Sequence, residues 1–179
     1  MEINSKLNMR IVKKIQSHGA NSSLYIVEDT QLNEIFMLKQ IDKNKIKESS
    51  KYFDEVRNVK DIENKNIVKV NYATYDDDNI YISMPYYKNG SLQDILQERN
   101  LTVREIVKYS LEILSGLYYI HKKNILHCDI KPSNILIDDY GCAVLADFGS
   151  AINIIIAVLE NLKMYITSIL HPNNVIVRE

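Results

Sequence analysis

The densest chemistry in this chain lies between Ile125 and Gly149, in the run I-L-H-C-D-I-K-P-S-N-I-L-I-D-D-Y-G-C-A-V-L-A-D-F-G. His127, Asp129, Lys131 and Asn134 fall within eight residues, and Asp147-Phe148-Gly149 begins eighteen residues after Asp129. A carboxylate in such a loop can accept a hydroxyl proton. A side-chain amide and a second carboxylate add oxygen donors of the kind a hard divalent cation takes.

In these two blocks the chain resembles the eukaryotic protein kinases, whose loop H-R-D-x-K-P-x-N is followed by a short hairpin and then D-F-G. The resemblance implies ATP and Mg2+ as cofactors. Asp129 would be the catalytic base, Lys131 would steady the γ-phosphate, and Asn134 and Asp147 would hold the metal. Lys131, two residues after Asp129, matches the serine/threonine type rather than the tyrosine type. Cys128 stands where the family has an arginine. A thiol cannot make that arginine's bidentate contact to a phosphorylated loop, so switching through this position is not expected.

Those residues need elements to hold them. Short apolar and polar alternations in the first third read as strands, from Ile11 to Ile15 and from Leu24 to Val27, joined by a turn of small residues. Against the kinase glycine-rich loop, the matched positions are Ser17, Gly19, Ser22 and Leu24, with serine in place of two glycines. Glu34 to Ile41 reads as a third strand, and its Lys39 fits the phosphate-contacting lysine. An ordinary strand lysine would instead run its stem along apolar surface and leave its ammonium in water. Met37 replaces the small residue that packs on adenine and would narrow that pocket. Phe53, Val56, Val59 and Ile62 mark an amphipathic helix within Lys47 to Ile62, whose Glu55 would pair with Lys39. Ile67 to Tyr75 and Ile80 to Met84 read as two further strands. Met84, Pro85 and Tyr87 resemble the hinge that grips the adenine edge, and Leu136 is carried over as another nucleotide contact. Ser91 can cap a short helix from Leu92 to Gln97, and Thr102-Val103-Arg104-Glu105 is a capping box opening a long helix to about His121.

The fold expected is α+β, protein-kinase-like and two-lobed, with a β-rich N-lobe carrying helix C and an incomplete helical C-lobe. It forms a single truncated domain over 1–179, with the N-lobe at 1–84, the hinge at 85–90, a partial C-lobe at 91–151 and a non-family tail at 152–179. Apolar residues three or four apart from Ile152 to Leu170 predict a helix in that tail. That helix would either cover the apolar face of the long helix before it, partly replacing a missing helix, or dock nowhere.

Bulk properties narrow the function. With 179 residues, 46% hydrophobic and 25% charged, the composition is that of a soluble globular domain. A net charge of −1 gives no basic field for nucleic acid. Two cysteines make no disulfide framework, and no run of uncharged apolar residues is long enough for a membrane span. The polar start, Met1 to Lys6, is no secretory signal, so an intracellular, cytoplasmic protein is expected. The expected partners are ATP and an unspecified protein substrate, with neither nucleic acid nor membrane. Three functions follow from the resemblance: a protein serine/threonine kinase, an ATP-binding pseudokinase or interaction fragment, and a small-molecule phosphotransferase. Lys131-Pro132 argues against the third.

Overall fold

Five antiparallel strands form one sheet in the order β1-β2-β3-β5-β4, built from Met9–Ile15, Ser22–Asp29, Glu34–Asp42, Asn79–Pro85 and Tyr72–Tyr75. The computed structural model describes residues 8–15, 22–46 and 53–169, leaving aside the side chains at 54, 55, 58 and 163–169. Between β3 and β4 lies a short helix, α1 (Asp54–Val59). The strand expected from Ile67 forms only from Tyr72. Residues 66–68 instead bond to Leu145 of another strand, because Leu145 N–H donates to the Asn66 carbonyl and Val68 N–H to the Leu145 carbonyl, each at 2.8 Å.

The second half is helical with small hairpins: α2 (Leu92–Glu98), α3 (Val103–Lys122), β6 (Ile125–Leu126), β7 (Ile135–Ile137), β8 (Ala143–Leu145), β9 (Ile152–Asn153) and α4 (Ile154–Ile169). Both expected caps are present. Ser91 and Asp94 cap α2 reciprocally, and Thr102 and Glu105 do the same for α3, satisfying amide groups with no partner inside the helix. Arg99 clamps Glu105 at 2.6 and 3.0 Å, which together with the Thr102 contacts lowers the Glu105 carboxyl to about 2.

The core gathers Tyr109 and Ile120 of α3, the β7–β8 hairpin, Phe148, and Val59, Ile67 and Val68 from the β-rich half. Complete burial of one such aliphatic or aromatic side chain stabilises by about 1.5–3 kcal/mol. The 66–68 segment crosses α3 at Gly116, where a Cβ would stand 2.9 Å from the Asn66 carbonyl oxygen. Only a residue without a side chain lets the two backbones approach so closely.

The tail helix forms, with Asn153 Oδ1 accepting from Ile155 and Ile156 N–H at its start. The first alternative, that it would cover α3, is overturned for the described residues. Ile106, Val107, Leu111, Leu114 and Tyr118 of α3 stay about half or more exposed, and so do Ile155, Ile156, Val158, Leu159 and Leu162 of α4. The reason lies at the junction. β9 pairs with β6, and Ile154 N–H donates to the Asn124 carbonyl at 2.8 Å, so α4 starts at the end of α3 rather than along its side.

Candidate active site

The β7–β8 hairpin sets the spacing of the site. Ile135 pairs with Leu145, so the residues flanking these strands meet at the open end, where Ala146 N–H donates to the Asn134 carbonyl at 2.9 Å. Asn134 and Asp147, thirteen apart in sequence, thereby sit at the two exits of one hairpin. At its closed end, Asp138 Oδ1 accepts from Tyr140 and Cys142 N–H, and Gly141 takes the positive φ of +71°. From α3, Lys108 Nζ donates to the Gly141 carbonyl at 2.6 Å and Glu112 accepts from Ala143 N–H at 2.7 Å. The long helix thus holds the hairpin by polar contacts as well as packing.

Around Asp129 the loop is tightly bonded. Lys131 Nζ donates to Asp129 Oδ2 at 2.7 Å, and Asn134 Nδ2 donates to both the Asp129 carbonyl and Oδ2 at 2.9 Å. The Lys131 hydrogen bond, with Asn134 behind it, holds the Asp129 carboxyl below its ordinary value. Asp129 is therefore ionised, as a proton acceptor must be. His127 lies beneath, 2% exposed, its ring 4.6 Å from that of Phe148. Nε2 lies 3.0 Å from the Ala146 carbonyl, while Nδ1 accepts from Asp129 N–H at 3.3 Å. These bonds select the neutral ring protonated on Nε2. Burial also pushes the imidazole down, against the opposing pull of the Ala146 bond.

Asp147 faces the other half of the molecule. Its backbone is left-handed (φ 63°, ψ 75°), and Lys39 Nζ of β3 donates to its Oδ1 at 2.7 Å. Burial pushes the Asp147 carboxyl up, but the charge and hydrogen bond of Lys39 outweigh it, and the group sits below its ordinary value. Sheet register places Leu24 opposite Lys39, Lys39 opposite Ile82 and Met37 opposite Met84. Cross-strand partners share a face and residues two apart share it too, so Ser22, Leu24, Met37, Lys39 and Met84 line one side of the sheet. Pro85 ends β5, and Tyr87 beyond it packs on the core, its phenol pushed up to about 12 by burial and then by Asp138. Leu136 lies on β7 and bridges to Ser91.

Ser17 and Gly19 lie outside the described residues, as does the side chain of Glu55, so the Lys39–Glu55 pair does too. The helix that carries Glu55, α1, packs against the short turn Phe148–Ser150 that follows Asp147. Sequence reasoning missed the supports: Asn66, Gly116 and Glu112. One signal was available, because a glycine inside a strong helical pattern costs about 1 kcal/mol and marks a packing need.

A β-rich lobe and a helical lobe, with a carboxylate loop and a second carboxylate at a hairpin's exit reaching a strand lysine, are arranged as in the protein kinase fold. Comparison with known proteins agrees. The family model for the protein kinase domain matches residues 11–169, and the chain belongs to that family. That match runs beyond residue 151 into α4. The chain is 33% identical over 144 residues to the serine/threonine-protein kinase CLA4 of Candida albicans, covering 78% of this chain and 15% of that protein. It is 37% identical over 137 residues to 3-phosphoinositide-dependent protein kinase B of Dictyostelium discoideum, covering 74% and 15%. With the mitogen-activated protein kinase kinase kinase YODA of Arabidopsis thaliana it shares 33% over 139 residues, covering 74% and 16%. The chain thus spans about a sixth of the length of these relatives. Among the described residues no helix is long and apolar enough to cross a membrane.

Proposed function

We propose that this chain binds Mg-ATP on the inner face of its sheet and transfers the γ-phosphate to a serine or threonine hydroxyl of a protein. One observation carries the reading. Lys39–Asp147 from the two halves and Asp129–Lys131–Asn134 from one loop are held in place by the same hairpin. The donor set suits magnesium. Asn134 commits its Nδ2 to Asp129, leaving Oδ1 as its ligating atom, and Asp147 adds a carboxylate, both hard oxygens. Magnesium would neutralise charge on the phosphate oxygens. Lys39 would hold phosphate oxygens by a charge-assisted contact. Asp129, ionised and partly open to solvent, would orient the hydroxyl and take its proton, and Lys131 beside it would offset developing negative charge. The serine/threonine preference rests on Lys131 and on the likeness to serine/threonine-protein kinases such as CLA4.

Radiolabelled ATP with a generic protein substrate tests this, using Asp129→Asn as the control. Transfer by the parent chain and a loss of about 10²–10⁴-fold in the variant is the expected result. Equal rates in both would remove Asp129 from the mechanism. Mg-ATP binding without transfer by the parent would assign the chain to the second reading, a nucleotide-binding pseudokinase.

A further inference from the structure

Along one side, α3 meets the strand that runs from Gly141 through β8 at matched steps. Lys108 Nζ donates to the Gly141 carbonyl at 2.6 Å, and a turn further on Glu112 Oε2 accepts from Ala143 N–H at 2.7 Å. After another turn, Gly116 makes room for the Asn66 carbonyl, which accepts from Leu145 N–H at 2.8 Å. The helix thus advances by four residues each time the strand advances by two. Four residues of helix rise about 6 Å and two of strand about 6.6 Å, so the two elements stay in step. Alternate residues of a strand turn their backbone groups to the same edge. Cys142, between these positions, turns the other way, and its carbonyl accepts from Asp138 N–H across the hairpin at 3.0 Å. One more step of two beyond Leu145 reaches Asp147.

We propose that α3 is a ruler for the metal-holding pair: Lys108 and Glu112 fix where the β7–β8 hairpin lies along its own axis, and so where Asn134 and Asp147 stand. The proposal rests on the reading of those two residues as magnesium ligands. Apolar packing of Ala143 and Leu145 has no direction and would tolerate a small axial slip. Two hydrogen bonds at a fixed spacing do not, because each weakens steeply once its angle is lost. The two anchors also differ in kind, a cation on a carbonyl and an anion on an N–H, so neither can take the other's place. Asn134 and Asp147 leave opposite ends of one hairpin and are tied by the Ala146 N–H bond to the Asn134 carbonyl, so they move as a unit. Lys39 belongs to β3 and does not move with them. What the ruler sets is the place of the two oxygen donors relative to phosphates held by Lys39. Lys108 and Glu112 are positioning residues, acting on the site through the hairpin backbone.

Calorimetry of ATP binding to the whole chain, with saturating Mg2+ and again with EDTA, gives the factor by which the metal strengthens nucleotide binding. Glu112→Leu removes the acceptor for Ala143 N–H and should cut that factor about tenfold, the low end of what losing a ligand's outer support costs. ATP affinity in EDTA, which reports Lys39, should stay at the parent value. Glu112→Gln keeps an accepting oxygen and should restore the parent factor. Lys108→Met should lower the factor in the same direction, and it becomes the deciding variant if circular dichroism shows that Glu112→Leu has lost helix. An unchanged factor in the folded variant would overturn the proposal. So would equal losses with and without metal, which would give Glu112 a purely structural role. Asp147→Asn tests the reading beneath: it should remove most of the factor. If the parent shows no such factor, or Asp147→Asn keeps it, the reading and the ruler fall together. A factor lost in Asp147→Asn but kept in Glu112→Leu and Lys108→Met overturns the ruler alone.

Discussion

Single residues in this site are defined by what they are bonded to. His127 has one acceptor and one donor waiting for it, so its neutral form is built into the fold. That has a consequence for stability against pH. An ordinary imidazole takes up a proton near 6.5, and burial depresses His127 below that. Below about pH 6.5 the unfolded chain therefore binds a proton that the folded chain does not, and stability falls as pH drops. Urea unfolding at pH 8 and 5.5 should show a larger loss for the parent than for His127→Gln, whatever the variant costs at pH 8. Equal losses would mean the ring titrates normally. Lys39 and Asp147 face a different test. Removing either charge, by Lys39→Met or Asp147→Asn, should weaken Mg-ATP binding by ~1–3 kcal/mol, the scale of a charge-assisted hydrogen bond. Calorimetry that finds both variants binding like the parent would take the pair out of the nucleotide site.

Among the elements, α3 does most of the positioning. One side of it packs the core, two of its polar side chains grip the β7–β8 hairpin, and Gly116 admits the 66–68 segment. Helix propensity and packing make opposite predictions at Gly116. Propensity alone says that Gly116→Ala should stabilise by about 1 kcal/mol. A methyl group 2.9 Å from a backbone carbonyl must instead push the segment away, and overpacking of this kind costs about 1–3 kcal/mol. The expected outcome is net destabilisation in a urea titration; a more stable variant would show that the contact yields without cost. At the start of α3, Thr102→Ala removes the hydroxyl that accepts from Glu105 N–H and should cost ~1 kcal/mol.

On the scale of the whole molecule, the hydrophobic core does not stop at the boundary between the halves. Val59, Ile67 and Val68, from the β-rich side, belong to the same cluster as Ile120, Leu145 and Phe148. Asn66 seals the joint, donating from Nδ2 to the Ala143 carbonyl at 2.9 Å while its own carbonyl accepts from Leu145 N–H. A shared core predicts a single cooperative transition. The chain has twelve tyrosines and no tryptophan, so tyrosine fluorescence and far-ultraviolet circular dichroism are suitable probes. Both should give one coincident curve, moved to lower urea in Asn66→Ala by loss of a buried hydrogen bond and its partner's satisfaction, ~1–3 kcal/mol. Separate transitions for the two probes would show that the halves unfold independently.

The parts of this protein legible from its residues are those decided within a few positions of one another. The Ser91 and Thr102 caps, the helices they open and the run from His127 to Gly149 all depend on local spacing, and local bonds form wherever the chain brings those residue types together. The tail helix was legible for the same reason. Its placement was not, because the pairing of β9 with β6 sets where it starts, and no spacing within residues 152–170 encodes that partner. The segment after Asn66 was read as strand for a similar reason: its apolar residues suit a sheet, yet their bonds go to Leu145, more than seventy residues away. The meeting of Lys39 with Asp147 across 108 positions likewise exists only once the sheet and the hairpin have packed against each other. Sequence carried the chemistry and the local elements. Tertiary structure decided which of them touch, since burial and backbone pairing between distant segments are won by competition over the whole chain.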